Sequence, residues 1–427
     1  MTVLVSGHAD AAISMPSKPE TLKDYDPESM PVEQARQFIR HFLVPLSGKE
    51  IVGLHEAFLR TLACDVLSPM NVPPQDNSAM DGYAVLHAGL VNDATKLKII
   101  GSSYAGHPFS GQVSPGECVR IMTGALIPDG CDTVVKQEHV KHDGAVAVIG
   151  SGHSPGQNIH RAGEDIRQGA TTLSCGQVIR PAEMGLLASL GLGEVVVFSK
   201  LRVAIFSTGD ELRQPGASLE PGQIYDSNRY SLYGMLGELG GVEILDMGNI
   251  RDSRDRLKAA LLDAAAKADV IITSGGVSVG EADYIKQLLS EIGEVVFWKI
   301  AMKPGRPLAY GKIGSSHFFG LPGNPVAVMV TFQQIVRDAL RLLMGQQPKT
   351  VFTLKALSAS NIKKALGRTE FQRGILTQDE NGALIVHTTG DQGSGILSSM
   401  SKANCFIVLP VSQGNVEAGN SVDVQLF

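Results

Sequence analysis

The 427-residue chain has five cysteines, Cys64, Cys118, Cys131, Cys175 and Cys405, with no C-x-x-C pair and no histidine at zinc-site spacing. That excludes a disulfide framework and a structural zinc site, and it fits reduced thiols in a cytoplasmic protein. No apolar run approaches the roughly 18 residues of a membrane helix. The opening MTVLVSGHADAAISMPSKPE lacks a basic stretch before its short apolar run, so no signal peptide is expected. Its Ser, Pro, Gly and Lys predict disorder over residues 1–29. A basic stripe is also missing, and a formal net charge of −6 argues against a general nucleic-acid binder. The 11 histidines are scattered, and no Ser-His-Asp or Cys-His arrangement stands out.

What is abundant is glycine, 47 of 427 residues, which suits many tight turns and close backbone approaches. The length allows two to four domains. The most informative stretch is Ala268 to Asp283, ADVIITSGGVSVGEAD. Val270-Ile271-Ile272 has no polar face, as expected of a strand covered on both sides of a parallel sheet. It stops at Thr273-Ser274-Gly275-Gly276, whose small residues leave backbone N–H groups open to a phosphate or other oxyanion. Carboxylates Glu281 and Asp283 follow at the start of a helix running to Ile292, where they would complement its dipole or hold a cation.

Along the chain, Val32, Ala35, Phe38, Ile39 and Phe42 recur at helical spacing before Pro45, and Leu54, Phe58, Leu62 and Cys64 predict a second helix over Leu54–Val66. Frequent Pro and Gly with short apolar runs predict a small all-β domain over 68–165, inserted between that helix and a helix at Pro181–Gly191. On spacing alone, Asp76 and Asp81 read as turn caps formed by their own side chains. From Leu201 strands and helices alternate: strand Val203–Phe206, helix Arg229–Gly240, strand Val242–Met247, helix Ser253–Ala268, strand Val270–Ile272, strand Val295–Trp298, and a helix Val326–Met344 with Asn324 as N-cap and Pro325 at N1. The fold class is α/β and multidomain: a doubly wound, mostly parallel sheet domain (30–49 and 201–350), a discontinuous linking domain (50–67 and 166–200), the inserted β domain and a C-terminal β domain (351–427).

Ligands of such sheets sit beyond the carboxyl ends of the strands. Glu211, Asp252, Ser274, Gly275, Gly276, Asp283 and Lys299 all follow strands and so belong to one rim. Three carboxylates beside an anion loop repel one another unless a cation neutralises them, and Mg²⁺ with bound phosphate is the natural choice. Asp252 reads equally as a cap of the Ser253 helix, Asp283 as a dipole partner and Glu211 as a solvated turn residue. Lys299, Lys303 and Arg306 add positive charge to the same rim. Lys299 follows an apolar strand, where an unpaired ammonium is costly, so an anion is expected there.

Several long motifs, in order, resemble one family: Asp76-Asn77-Ser78-Ala79-Met80-Asp81-Gly82-Tyr83-Ala84, Ile121-Met122-Thr123-Gly124-Ala125, Ser207-Thr208-Gly209-Asp210-Glu211-Leu212, Thr273 to Asp283, Leu321-Pro322-Gly323-Asn324-Pro325, Phe371-Gln372-Arg373-Gly374 and Gln392-Gly393-Ser394. They resemble the molybdopterin molybdenumtransferases, the MoeA family, relatives of the C-terminal domain of gephyrin. The resemblance implies a Mg²⁺-dependent enzyme that takes adenylylated molybdopterin and molybdate, releases AMP and leaves molybdenum on the pterin dithiolene. It implies an elongated homodimer with its site in a cleft between the sheet domain of one subunit and the β insertion of the other. The molybdopterin adenylyltransferase and molybdoenzyme acceptors are the further partners it implies.

Residue by residue, it implies catalytic positions at Asp81, Thr123, Glu211, Asp252, Asp283, Lys299 and Lys303. Substrate contacts would be Ser274, Gly275, Gly276, Arg373 and Ser394, and Glu211, Asp252 and Asp283 would be metal ligands. The chain departs from the family at His160-Arg161-Ala162, where an arginine run is frequent, and at Arg306, where Lys is frequent. One alternative keeps the fold and loses the reaction, a pterin- or nucleotide-binding scaffold of the gephyrin type; another is a molybdopterin adenylyltransferase, typically a single small domain, against which the extra β domains weigh.

Overall fold

A computed structural model describes residues 29–276, 282–347 and 351–427, and for 282–286 and 296–298 only their backbone. The expectation of disorder for residues 1–28 lies outside the described residues. The described chain forms two compact units: Ile51–Phe58 with Leu62–Val197, and the remainder, comprising the chain up to Glu50, Leu59–Thr61 and Phe198–Phe427. No helix among the described residues is long and apolar enough to cross a membrane.

The larger unit is built on a seven-stranded sheet in the order Ser29–Met30, Gly293–Ile300, Pro307–Ile313, Ser316–Leu321, Val270–Ser274, Leu201–Thr208 and Val242–Ile250. Every strand runs one way except Pro307–Ile313, which is antiparallel to both neighbours. Alternation along Leu201–Thr208 explains the two-sided core. Val203 and Ile205 pack with Leu232, Leu236, Phe319 and Val330 on one face, and Ala204 and Phe206 pack with Leu257, Leu261, Ile271 and Leu288 on the other. The predicted helices appear at Val32–His41, Asn228–Leu239, Arg254–Lys267 and Ala282–Ile292. The last predicted one is interrupted: Pro325–Thr331 and Arg337–Leu343 flank a π-helical turn at Phe332–Val336.

The sheet is mostly parallel, as expected, and it is mixed because Pro307–Ile313 and Ser316–Leu321, neither of them read as a strand from the sequence, form a hairpin. Its turn is Gly314-Ser315, with Ile313 paired to Ser316 and Gly314 at φ 60; two-residue hairpin turns favour residues that tolerate positive φ. One sequence reading needs correction. It is Leu54–Val66, which is turn and short strand, not helix. Leu62 N–H donates to Gln177 O at 2.9 Å and Ala63 N–H to Val196 O at 3.0 Å. Leu59 lies at φ 59, where a right-handed helix cannot continue. Distant backbone partners outweigh a periodicity that satisfies a helical wheel.

Within the same unit, Thr369–Gln378, Leu384–Thr388, Leu354–Ser358, Ser421–Leu426 and Cys405–Leu409 close into a small barrel, the last strand pairing back on the first. Met302–Lys303, immediately after the sheet strand Gly293–Ile300, adds in parallel to Thr369–Gln378. The other unit carries a six-stranded sheet with Glu117–Ile121 and Thr95–Ser103 at its centre, over a core that includes Tyr83, Leu97, Cys118, Val135 and Ile149.

His317, on Ser316–Leu321, is 7 % exposed and stacks on Tyr310. Burial pushes its imidazole down to about 4, with Lys312 adding repulsion. A histidine whose folded pKa is depressed stays neutral while the unfolded chain takes up a proton, so stability is lost as pH falls from about 6.5 towards 4. The loss amounts to roughly 3 kcal/mol. Urea midpoints at pH 7 and pH 4.5 are expected to differ less in His317→Gln than in the parent. An equal pH dependence in both would remove His317 as its source.

Candidate active site

The carboxyl ends of Leu201–Thr208, Val242–Ile250, Val270–Ser274 and Ser316–Leu321 share one edge of the sheet. A cavity of about 590 Å³ opens there, walled by Thr208–Leu212, Ile224–Asn228, Asp252, Ser274–Gly276, Gly323–Pro325 and Gly395. Two helices start at its wall, Asn228–Leu239 and Pro325–Thr331. Their first N–H groups give that side a partial positive charge that favours an anion. Gly275 and Gly276 have φ of 91° and 70°, the left-handed region that glycine enters without strain. The loop is not wholly open, however, since Gly275 N–H donates to Leu321 O at 3.1 Å.

Asn228, 8 % exposed, fastens these parts together. Its Nδ2 donates to Ser274 Oγ and to Gly323 O, both at 2.7 Å. A carbonyl acceptor fixes which end of the amide is nitrogen. In the same wall, the buried Asp226 accepts from Ser207 Oγ at 3.0 Å and from Arg229 Nε at 3.1 Å, and Arg229 also pairs with Asp246. Burial alone would depress the Arg229 guanidinium; the two carboxylates outweigh it and hold it above its ordinary range.

The wall also carries acids. Glu211 and Asp252 line the cavity with Asp210. Asn249 closes the loop that carries Glu211, its Nδ2 donating to Gly209 O at 3.1 Å and Leu212 O at 3.3 Å. Asp252 N–H donates to Asp210 Oδ1 at 3.4 Å, which ties the two acid-bearing loops to each other. The cap of the helix beginning at Arg254 is Ser253, so Asp252 is not its N-cap. Among the described residues the wall contains no Lys or Arg.

The other expected residues lie elsewhere. Lys299 ends Gly293–Ile300 on the same edge of the sheet. It stands three strands from Val270–Ser274, roughly 14 Å at about 4.8 Å per strand, and outside the cavity wall. Lys303 Nζ bonds Glu370 Oε1 at 3.2 Å. Ser394 is not in the wall: its C=O accepts from Val326 N–H at 3.1 Å, and it is its neighbour Gly395 that lines the cavity. Arg373 is 1 % exposed and faces inward, Nε donating to Ser399 Oγ at 2.9 Å and an Nη to Gly393 O at 3.0 Å. Burial lowers its pKa. It steadies the loop that bears Ser394 and is not part of the wall. Asp283 belongs to Ala282–Ile292, and its side chain lies outside the described residues.

In the other unit, Asp81 and Thr123 are bonded to each other, the Thr123 N–H and hydroxyl both reaching Asp81 Oδ1 at 2.8 Å. The Thr123 N–H, then its hydroxyl, hold the Asp81 carboxyl below the usual range. Asp76 instead binds Arg161 and the Ala162 N–H.

Sequence reasoning did not single out Asp210, Asp226, Asn228 or Asn249. Asp226-Ser227-Asn228, a run of capping residues just before a helix, was the signal available.

Residues 30–191 match the MoeA N-terminal region (domain I and II), 204–342 the probable molybdopterin binding domain, and 355–427 the MoeA C-terminal region (domain IV). A Haemophilus influenzae protein named molybdopterin molybdenumtransferase is 45 % identical over 399 residues, 93 % of this chain and 98 % of that one. The chain belongs to the MoeA family. It is therefore a molybdopterin molybdenumtransferase, a transferase of molybdenum cofactor biosynthesis. A second relative of that name, from Nostoc, is 34 % identical over 95 % of this chain and 96 % of its own. The crystal structure of the molybdopterin biosynthesis MoeA protein of Pyrococcus horikoshii superposes with a TM-score of 0.81 at 30 % identity, covering 93 % of this chain and 100 % of that one. The multidomain MoeA fold is thus shared across the chain.

A Cβ at Gly275 would stand 2.7 Å from Thr208 O, whereas at Gly323 the nearest atom is 4.0 Å away. Gly275→Ala is expected to cost about 1–3 kcal/mol, and Gly323→Ala less than about 0.5 kcal/mol. Urea unfolding of both variants checks this, and equal midpoints would refute the crowding at Gly275.

Proposed function

We propose that the chain transfers molybdenum from molybdate to adenylylated molybdopterin, releasing AMP, with Mg²⁺ as cofactor and as a homodimer. The observation that carries this reading is the cavity in which Glu211 and Asp252 face a glycine loop and two helix starts. An anionic ligand there meets backbone and amide dipoles on one side and carboxylates on the other. With no Lys or Arg in its described wall, the charge balance calls for a cation.

The donor set fits Mg²⁺. Among the described residues no three His, Cys, Asp or Glu side chains close on one point. Mg²⁺ takes one or two carboxylates and completes its shell with water and substrate phosphate, so a full protein cage is not needed. Glu211 and Asp252 would hold it, with Asp283 as the third candidate. When bound, the ion neutralises the phosphate charge and polarises the pyrophosphate link.

The chain's own residues do the rest. The Ser274–Gly276 loop and the start of Asn228–Leu239 position the phosphates, Asn228 fixing the loop against the helix. Lys299 and Lys303 hold molybdate, a tetrahedral dianion, by charge-assisted hydrogen bonds. Ser394 is on the loop that Arg373 steadies, next to Gly395 of the cavity wall. Asp81 and Thr123 act as one hydrogen-bonded pair contributed by the β insertion. No nucleophilic side chain is required, because the work is placement and charge neutralisation.

AMP release from adenylylated molybdopterin, followed with and without chelator, tests the reading. Activity is expected to vanish with chelator and return with Mg²⁺. Glu211→Gln and Asp252→Asn should each lower turnover about 100-fold and raise the Mg²⁺ concentration needed. Variants with the parent's turnover and Mg²⁺ dependence would remove these residues from the metal site.

A further inference from the structure

Glu370 is a charged side chain in an unlikely place. It lies on Thr369–Gln378 with 2 % exposure, and a carboxylate so buried needs both a counter-charge and full hydrogen bonding. Its Oε2 accepts from Gln372 Nε2 at 2.9 Å, and the same amide donates to Lys363 O at 3.1 Å. Both hydrogens of that amide are engaged, which pins one side of the carboxylate. Its Oε1 faces Lys303 Nζ at 3.2 Å. The approach is set by the backbone: Met302–Lys303 pairs in parallel with Thr369–Gln378, with Lys303 opposite Glu370.

As a stabilising device this pair is poor. Lys303 is 48 % exposed, so solvent screens the pair, while the carboxylate still bears the cost of leaving water. Glu370 also supports the charge of the buried Lys364. What the arrangement does supply is a fixed direction for a flexible four-carbon stem. An ammonium has three donors; Glu370 takes one, and the half-exposed side chain presents the others to a ligand.

We infer that Glu370, held by Gln372, is the positioning residue for Lys303, orienting its ammonium to receive the tetrahedral oxyanion. The inference rests on the reading that Lys303 binds molybdate. Glu370 touches no reacting atom; its part in the reaction is through that lysine.

The experiment measures AMP release at varied molybdate and varied adenylylated pterin for Glu370→Gln, Lys303→Met and the double variant. Glu370→Gln is expected to lower kcat/KM for molybdate roughly 10- to 100-fold and to leave the KM for the pterin substrate unchanged. The double variant should be no worse than Lys303→Met alone, because the two residues act as one unit. Additive losses would overturn the inference, since they mean that Glu370 acts independently. So would a Glu370→Gln enzyme with the parent's molybdate kinetics while Lys303→Met is impaired. A fully active Lys303→Met enzyme would instead sink the role given to Lys303, and this inference with it. If Glu370→Gln does not fold, Glu370→Asp carries the same comparison: a smaller loss in the same parameter, again non-additive with Lys303→Met, supports it, and no loss overturns it.

Discussion

One carboxamide sets the geometry of the site. Asn228 Nδ2 ties Ser274 and Gly323 to the first turn of its own helix, so a strand end, a helix start and the loop before a second helix cannot move apart separately. Two such bonds contribute about 1–3 kcal/mol together. Among the described residues the buried Oδ1 of the same residue has no partner, at a cost of about 1–3 kcal/mol. The two effects nearly cancel, so the amide adds little net stability; its effect is to fix the arrangement of three elements. Asn249 joins both ends of the Glu211 loop, its own Oδ1 likewise without a partner among the described residues.

Charge is distributed along the sheet edge in sections. Carboxylates and helix starts crowd the ends of the central strands, and the lysines stand at the far side, near Gly293–Ile300 and the barrel. This separation suits a long substrate with a phosphate group at one end and an oxyanion acceptor at the other. The barrel contributes through two short connections: Met302–Lys303 joins its edge to the sheet, and the loop with Ser394 meets the helix that begins at Pro325. Arg373 belongs to this support, its buried guanidinium holding the loop from inside.

Much of this was legible in the amino-acid order. Val270-Ile271-Ile272 running into Thr273-Ser274-Gly275-Gly276 announced a buried parallel strand and its anion loop, because a strand covered on both faces has no polar alternation to confuse it. The rule that ligands gather at carboxyl ends then placed Glu211 and Asp252 on one edge, and both line the same cavity. The helix over Leu54–Val66 failed because its apolar spacing was real while its hydrogen-bond partners, Gln177 and Val196, lay more than a hundred residues away. Arg373 matched a motif, but a motif gives identity and not direction, and its guanidinium turns inward.

The sequence alone determined the alternation of strand and helix, the glycines that reach left-handed φ, and the kinds of charged group the strand ends carry. These are local properties, set by side-chain size, branching and period. Only the tertiary structure decided that Asn228 meets Ser274 and Gly323, that Lys303 lies opposite Glu370, and that Lys299 stands strands away from the cavity. Those relations depend on strand order and register, which arise from pairing between distant segments and leave no periodic trace in the chain.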